Sequence, residues 1–131
     1  MKTKLFLLLV FVFIITTKSN AQKDLEVTVF ASSIQKSPTH DCGEIAKDAR
    51  EVLIYTIKNE RKTDIEIKNI KVPSGYMASA TESTIKAGKD VNVYVVIETR
   101  MITTKGAFDE KIYIETNLIE NIEFEITGVY K

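Results

Sequence analysis

From Leu25 onward, apolar residues recur at every second position, and that period constrains the fold more than any other feature. Val91, Val93, Val95 and Ile97 form the longest row. Ile122, Phe124 and Ile126 alternate with Glu123, Glu125 and Thr127, and Leu53, Tyr55 and Ile57 alternate with Ile54, Thr56 and Lys58. Shorter rows are Leu25, Val27, Val29, then Ile65, Ile67, and Ile112, Ile114 after Phe108. Successive side chains of an extended chain point to opposite faces, so each row is one apolar strand face. Acids and lysines in the other phase give each sheet a solvated outer face. Tyr55, Ile57, Val93, Val95, Ile114, Phe124 and Ile126 are therefore expected between two sheets. No segment after Ala21 holds a 3.6-residue apolar period over three turns. Glu44 to Arg50 is a helical candidate too short to build on.

Breaker clusters separate the rows. Asn59 to Asp64 is polar, and Pro73-Ser74-Gly75, Ala87-Gly88-Lys89-Asp90 and Asn117 to Asn121 fit short turns. Strands at this spacing predict an immunoglobulin-like antiparallel β-sandwich of about seven to eight strands. The resemblance is architectural, because Trp is absent and Cys42 is the only cysteine. An intramolecular disulfide is thereby excluded.

The start of the chain reads differently. Lys2 and Lys4 precede an unbroken apolar run from Leu5 to Ile15, and Ser19-Asn20-Ala21 follows. This is the pattern of a cleaved secretory signal helix. The run falls short of the about 20 apolar residues of a permanent span. No cysteine follows it for lipid attachment. The expected organisation is a signal peptide over residues 1–21 and one sandwich domain over residues 22–131, released to the periplasm or exterior of a bacterium. Of 18 basic and 18 acidic side chains, Lys2, Lys4 and Lys18 fall in the leader, leaving 15 against 18 and a formal charge of −3. A mildly acidic surface of mixed sign argues against a nucleic-acid partner.

An ordered set of short motifs runs through the domain. It comprises Asp41-Cys42-Gly43-Glu44-Ile45, Tyr55-Thr56-Ile57-Lys58-Asn59, and Ile65-Glu66-Ile67 with Ile70. Further on come Ile85-Lys86-Ala87-Gly88, Gly106-Ala107-Phe108, Ile112 to Asn117 and Ile126-Thr127-Gly128-Val129. The set resembles the bacterial exported Ig-like family catalogued as domain of unknown function 1573, akin to Hydin-type and major-sperm-protein-like sandwiches. The resemblance implies the fold and the export route, and it supplies no activity. Two departures stand out. Where the family often carries a Ser-Cys-Gly-Cys-like element, this chain has Val72-Pro73-Ser74-Gly75-Tyr76-Met77 and no sulfur pair. Cys42 stands where the family commonly has an aromatic residue.

Chemistry-bearing residues are sparse. On a strand His40 and Cys42 share a face while Asp41 points away. A closed zinc site needs about four ligands, and the domain has no second His or Cys. A small buried Cys filling a core position accounts for Cys42 better than a ligand or a thiol nucleophile does. Asp109, Glu110 and Glu115 fit the solvating acids of a strand face better than a glycosidase pair. No cofactor or metal is expected, and a small hydrolase or metal-binding protein is the alternative of another class.

The loops at Val72–Met77 and Thr99–Gly106 should converge at one end of the sandwich, bringing Tyr76, Met77, Arg100 and Met101 together. Tyr, Met and Arg are enriched in interface cores. The competing reading makes Tyr76 and Met77 caps of the open core end. Leu118 and Ile119 form a weaker apolar candidate at the opposite end. The expected function is a non-enzymatic binding module whose partner is a protein or other cell-envelope component. An assembly or chaperone-like factor pairing an edge strand such as Leu25 to Phe30 with a client is the runner-up. Carbohydrate binding is disfavoured because no Trp offers a platform. If the leader is cleaved as expected, mass spectrometry of the exported protein will find Gln22 at its N-terminus.

Overall fold

The computed structural model describes residues 22–30, 34–35 and 39–131; the expected leader lies outside them. Two long strands, β4 (Arg50–Asn59) and β8 (Asp90–Glu98), run antiparallel through the middle of one sheet. Their rows Leu53, Tyr55, Ile57 and Val91, Val93, Val95, Ile97 are all buried. A second sheet answers them through β9 (Gly106–Thr116) and β10 (Ile122–Tyr130). These supply Ile112, Ile114, Ile122, Phe124 and Ile126 to the same core. All seven side chains expected between the sheets are fully buried.

The remaining strands complete two five-stranded sheets. They are β1 (Gln22–Val29), β2 (Ile34–Gln35), β3 (His40–Ile45), β5 (Ile65–Lys71), β6 (Tyr76–Ala80) and β7 (Thr84–Ile85). The first sheet has the order β2-β1-β4-β8-β6 and the second β3-β10-β9-β5-β7. Ten strands are present among the described residues, two of only two residues, so the eight longer ones match the sequence expectation.

The purely antiparallel expectation needs one correction. β1 lies parallel to β4, with Leu25 beside Tyr55 and Val27 beside Ile57, and β3 lies parallel to β10. Parallel neighbours require a long crossover. The chain provides it by visiting the second sheet as β3 between β1 and β4. Alternation along a strand gives no sign of a partner's direction. A β-bulge in β5 between Ile67 and Asn69 interrupts the alternation, so that Ile70 rather than Asn69 follows Ile67 toward the core.

Across the sandwich, the rings of Tyr55 and Phe124 stack at 3.7 Å with their planes 3° apart. At the end holding the β4–β5 turn, the buried Asn59 fastens three segments. Its Nδ2 donates to the carbonyls of Thr63 and Ile85, both at 2.9 Å, and its Oδ1 accepts from the Arg61 amide. Replacing Phe124 with Ala should destabilise the domain by about 3–5 kcal/mol, the range for deleting a large buried ring. Urea melts check this, and a near-neutral result would mean the phase of β10 is inverted.

Candidate functional site

The turn between β3 and β4, the β5–β6 loop, the β8–β9 connection and the end of β10 meet at one end of the sandwich. The apolar alternation of β8 breaks there, for Ile97, Glu98 and Thr99 are buried in succession. A 3₁₀ turn, Thr99–Met101, follows and is closed by the Ile102 amide donating to the Thr99 carbonyl at 3.0 Å.

Thr99 holds the β3–β4 turn. Its Oγ1 accepts from the Ala49 amide at 2.6 Å and lies 3.0 and 2.9 Å from the carbonyls of Ala46 and Ala49, between which its single proton is shared. The Thr99 amide also donates to the Ala49 carbonyl at 3.1 Å. Gly75 ties in the β5–β6 loop, its carbonyl accepting from the Glu98 amide at 2.9 Å. A side chain there would stand 2.3 Å from Ile102 Cγ1, and φ is +86°. Glycine is thus required both by the left-handed backbone and by the close approach of the loops. The Glu98 carboxylate, almost fully buried, is bonded by Arg50 Nε through Oε1 and faces Arg100 Nε at 3.6 Å through Oε2.

The two loops therefore do converge, yet the four expected binding residues part company. Tyr76 is no loop anchor: it opens β6, is buried, and its hydroxyl bonds that of Tyr130 at 2.7 Å. Tyr130 in turn stacks on Phe108 at 4.0 Å. Tyr76 faces inward in the same phase as Ala78 and Ala80, so it caps the core as the competing reading held. Met77, in the outward phase, is half exposed, and Met101 and Arg100 are exposed. Ile119 at the opposite end is fully exposed, while Leu118 packs partly against the core.

Beside Arg100 the end opens into a cleft of about 280 Å³. Ile45, Thr99 and Tyr130 are its buried lining; Lys47, Lys105 and Lys131 are exposed around it. The three lysines come from separate segments, and no local motif joins them. A shallower groove of about 510 Å³ crosses the second sheet between Pro73 and Tyr113.

The other candidates resolve simply. Cys42 is half-buried, not enclosed, because β3 is an edge strand and the chain turns out at Gly43. Burial foremost, with the nearby Glu51 and Asp41 carboxylates, pushes its thiol up from the ordinary 9.0 to about 11. His40 shares its face, half-buried. Among the described residues, no group of three or more His, Cys, Asp or Glu side chains is placed to hold a metal ion. Asp109 faces Glu125 on the neighbouring strand, not Glu110 or Glu115. Hydrogen bonding to Glu125 raises the Asp109 carboxyl, while the Thr39 hydroxyl, donating at 2.6 Å, lowers that of Glu125. Glu115 is engaged by Asn69 and Lys71.

A two-sheet immunoglobulin-like sandwich whose loops build a basic-lined end is the class of protein defined here. The chain belongs to the DUF1573 family of proteins of unknown function, whose model matches residues 33–129. No curated protein matches the chain. Among solved structures it resembles a protein of unknown function from Porphyromonas gingivalis W83, with a TM-score of 0.62 and 12% identity. That alignment covers 87% of this chain and 50% of the other, so this chain spans half its relative's length. The ASH / PapD-like domain of human CEP192 aligns with a TM-score of 0.48 and 9% identity, over 86% of this chain and 82% of that one. No helix among the described residues is long and apolar enough to cross a membrane.

Burial also raises the hydroxyls of Tyr55, Tyr76 and Tyr130. These groups and Cys42 keep their protons in the fold after the unfolded chain has lost them, so unfolding is favoured as pH rises. For Cys42 the contribution is intact below about pH 9 and lost as pH climbs through about 11. Urea midpoints should fall between about pH 8 and about pH 10.5, with Cys42→Ala flattening part of the slope by about 1–2 kcal/mol, allowing for the thiol's half-exposed position.

Proposed function

We propose that this chain is an exported, non-enzymatic interaction module that binds a protein or other cell-envelope component through the end carrying Met77, Arg100 and Met101. One observation carries the reading: Arg100 and Met101 are exposed on a connection that Thr99 fixes to the sandwich, and Met77 faces outward at the start of β6, just after the tethered Gly75. Loops held in one conformation lose little entropy on binding, which favours a surface made for contact. The leader pattern supports export, and the basic residues give the surface a chemical preference. Tyr76 serves that surface only from behind, by closing the core.

Changing Met77 and Met101 to Ser should weaken capture of the partner from the native cell envelope by roughly tenfold, about 1.4 kcal/mol, with the melting midpoint nearly unchanged. Capture that is indifferent to both substitutions sinks this reading. A second reading rests on β1. Among the described residues β2 pairs only with Thr28 and Val29, so the outer edge of Gln22 to Val27 carries no strand. An edge of that kind is a template for a client strand. A photocrosslinker at Glu26 rather than at Met101 would then trap the partner.

A further inference from the structure

The distribution of charge gives the binding end a ligand chemistry. We infer that the cleft beside Arg100 receives an acidic segment of a protein partner, an inference resting on the proposed use of this end for binding.

Lys47, Arg100, Lys105 and Lys131 line the cleft against Asp48, an excess of three basic over acidic side chains in the lining. The chain beyond residue 21 carries 15 basic and 18 acidic side chains, so the cleft runs against the sign of the domain around it. Little in the fold neutralises these cations. Lys47 and Lys105 have no ion-pair partner among the described residues. Lys131 meets Glu44 at 3.3 Å, but both ends are more than half exposed, and such a pair exchanges readily. Arg100 shares Glu98 with Arg50, which takes the closer contact. Four cations from three segments repel one another, and Asp48, Glu98 and Glu44 offset that only in part, so an added anion is favoured there.

The shape selects the kind of anion. The positive side chains lining this cleft of about 280 Å³ come from three separate parts of the chain, the β3–β4 turn, the β8–β9 connection and the residue after β10. A single phosphate is recognised by donors aimed at one centre, commonly backbone amides. Carboxylates carried at intervals along an extended chain match cations carried on separate segments. The exposed hydroxyl residues Thr103 and Thr104 add hydrogen-bonding groups, and the buried Ile45 and Tyr130 give the cleft an apolar wall for the segment's backbone and methylenes.

The test is fluorescence anisotropy on the purified protein with a labelled peptide of alternating Glu and Ser. A Lys–Ser peptide serves as comparison and inorganic phosphate as competitor. The acidic peptide should bind, the basic one should not, and moderate salt should weaken the complex strongly. Lys47→Glu with Lys105→Glu should weaken binding at least about tenfold. The milder Lys47→Gln with Lys105→Gln guards against a folding defect and should show a smaller loss in the same direction. Lys62→Glu, at the opposite end, should change nothing. Absence of acidic-peptide binding, or binding indifferent to the Lys47 and Lys105 substitutions, overturns the inference. Displacement by phosphate at equal affinity also overturns it, because the cleft is then a small-anion site. If the peptide fails while envelope capture still depends on Met77 and Met101, only the acidic ligand falls; if capture is indifferent too, the binding end falls with it.

Discussion

The stack of Tyr55 on Phe124 is the contact around which the two sheets are arranged. Each ring occupies the inward phase of a central strand, and each is fully buried. At 3.7 Å and 3° the rings lie nearly face to face, so the pair stabilises chiefly through the apolar area both rings remove from water. Their greater effect is on register. A one-residue slip of β4 or β10 would expel a ring and turn a whole apolar row into solvent. With those strands fixed, β8 and β9 follow by antiparallel pairing, and the connections at both ends have set positions from which to leave.

What happens at those ends depends on polar residues that leave the strand pattern. Asn59 lies in the inward phase of β4 yet is an amide, and it is buried because three backbone groups satisfy it. Glu98, the last residue of β8, and Thr99 just after it occupy the corresponding place at that strand's end. A buried carboxylate is tolerable only beside cations, and Arg50 and Arg100 provide them from the surface. The same polar anchoring that ends the strand therefore displays Arg100 and Met101. Stability and display are coupled in this one segment.

The sequence rows revealed the strands and the buried side chains because alternation is a local property that burial enforces. Tyr55, Val93 and Phe124 needed no knowledge of their partners to be assigned inward. The parallel placement of β1 and β3 was not legible, since an alternating strand looks the same in either direction. The place of Tyr76 was ambiguous for a related reason. Its neighbours Gly75 and Met77 belong to a loop and an outward position, and only the Tyr130 hydroxyl, 54 residues away, decides that it turns inward. Lys47, Lys105 and Lys131 carried no signal at all, because isolated lysines in turns look like ordinary solvated surface. Cys42 was expected deeper than it lies, because the sequence does not mark β3 as a sheet margin.

The parallel pairing of β3 with β10 has a consequence for how the chain reaches this state. Thr39, just before β3, bonds Glu125 in β10, a separation of 86 residues. Closing so long a loop costs entropy before any contact offsets it, and topologies dominated by distant pairings fold slowly. During synthesis the N-terminal strands emerge first and find neither Phe124 nor the rest of the second sheet's centre. The local β9–β10 hairpin must form before β3 has an edge to join. Until β10 is present, the inward rows of β4 and β8 lack the cover that Phe124 and Ile126 give them.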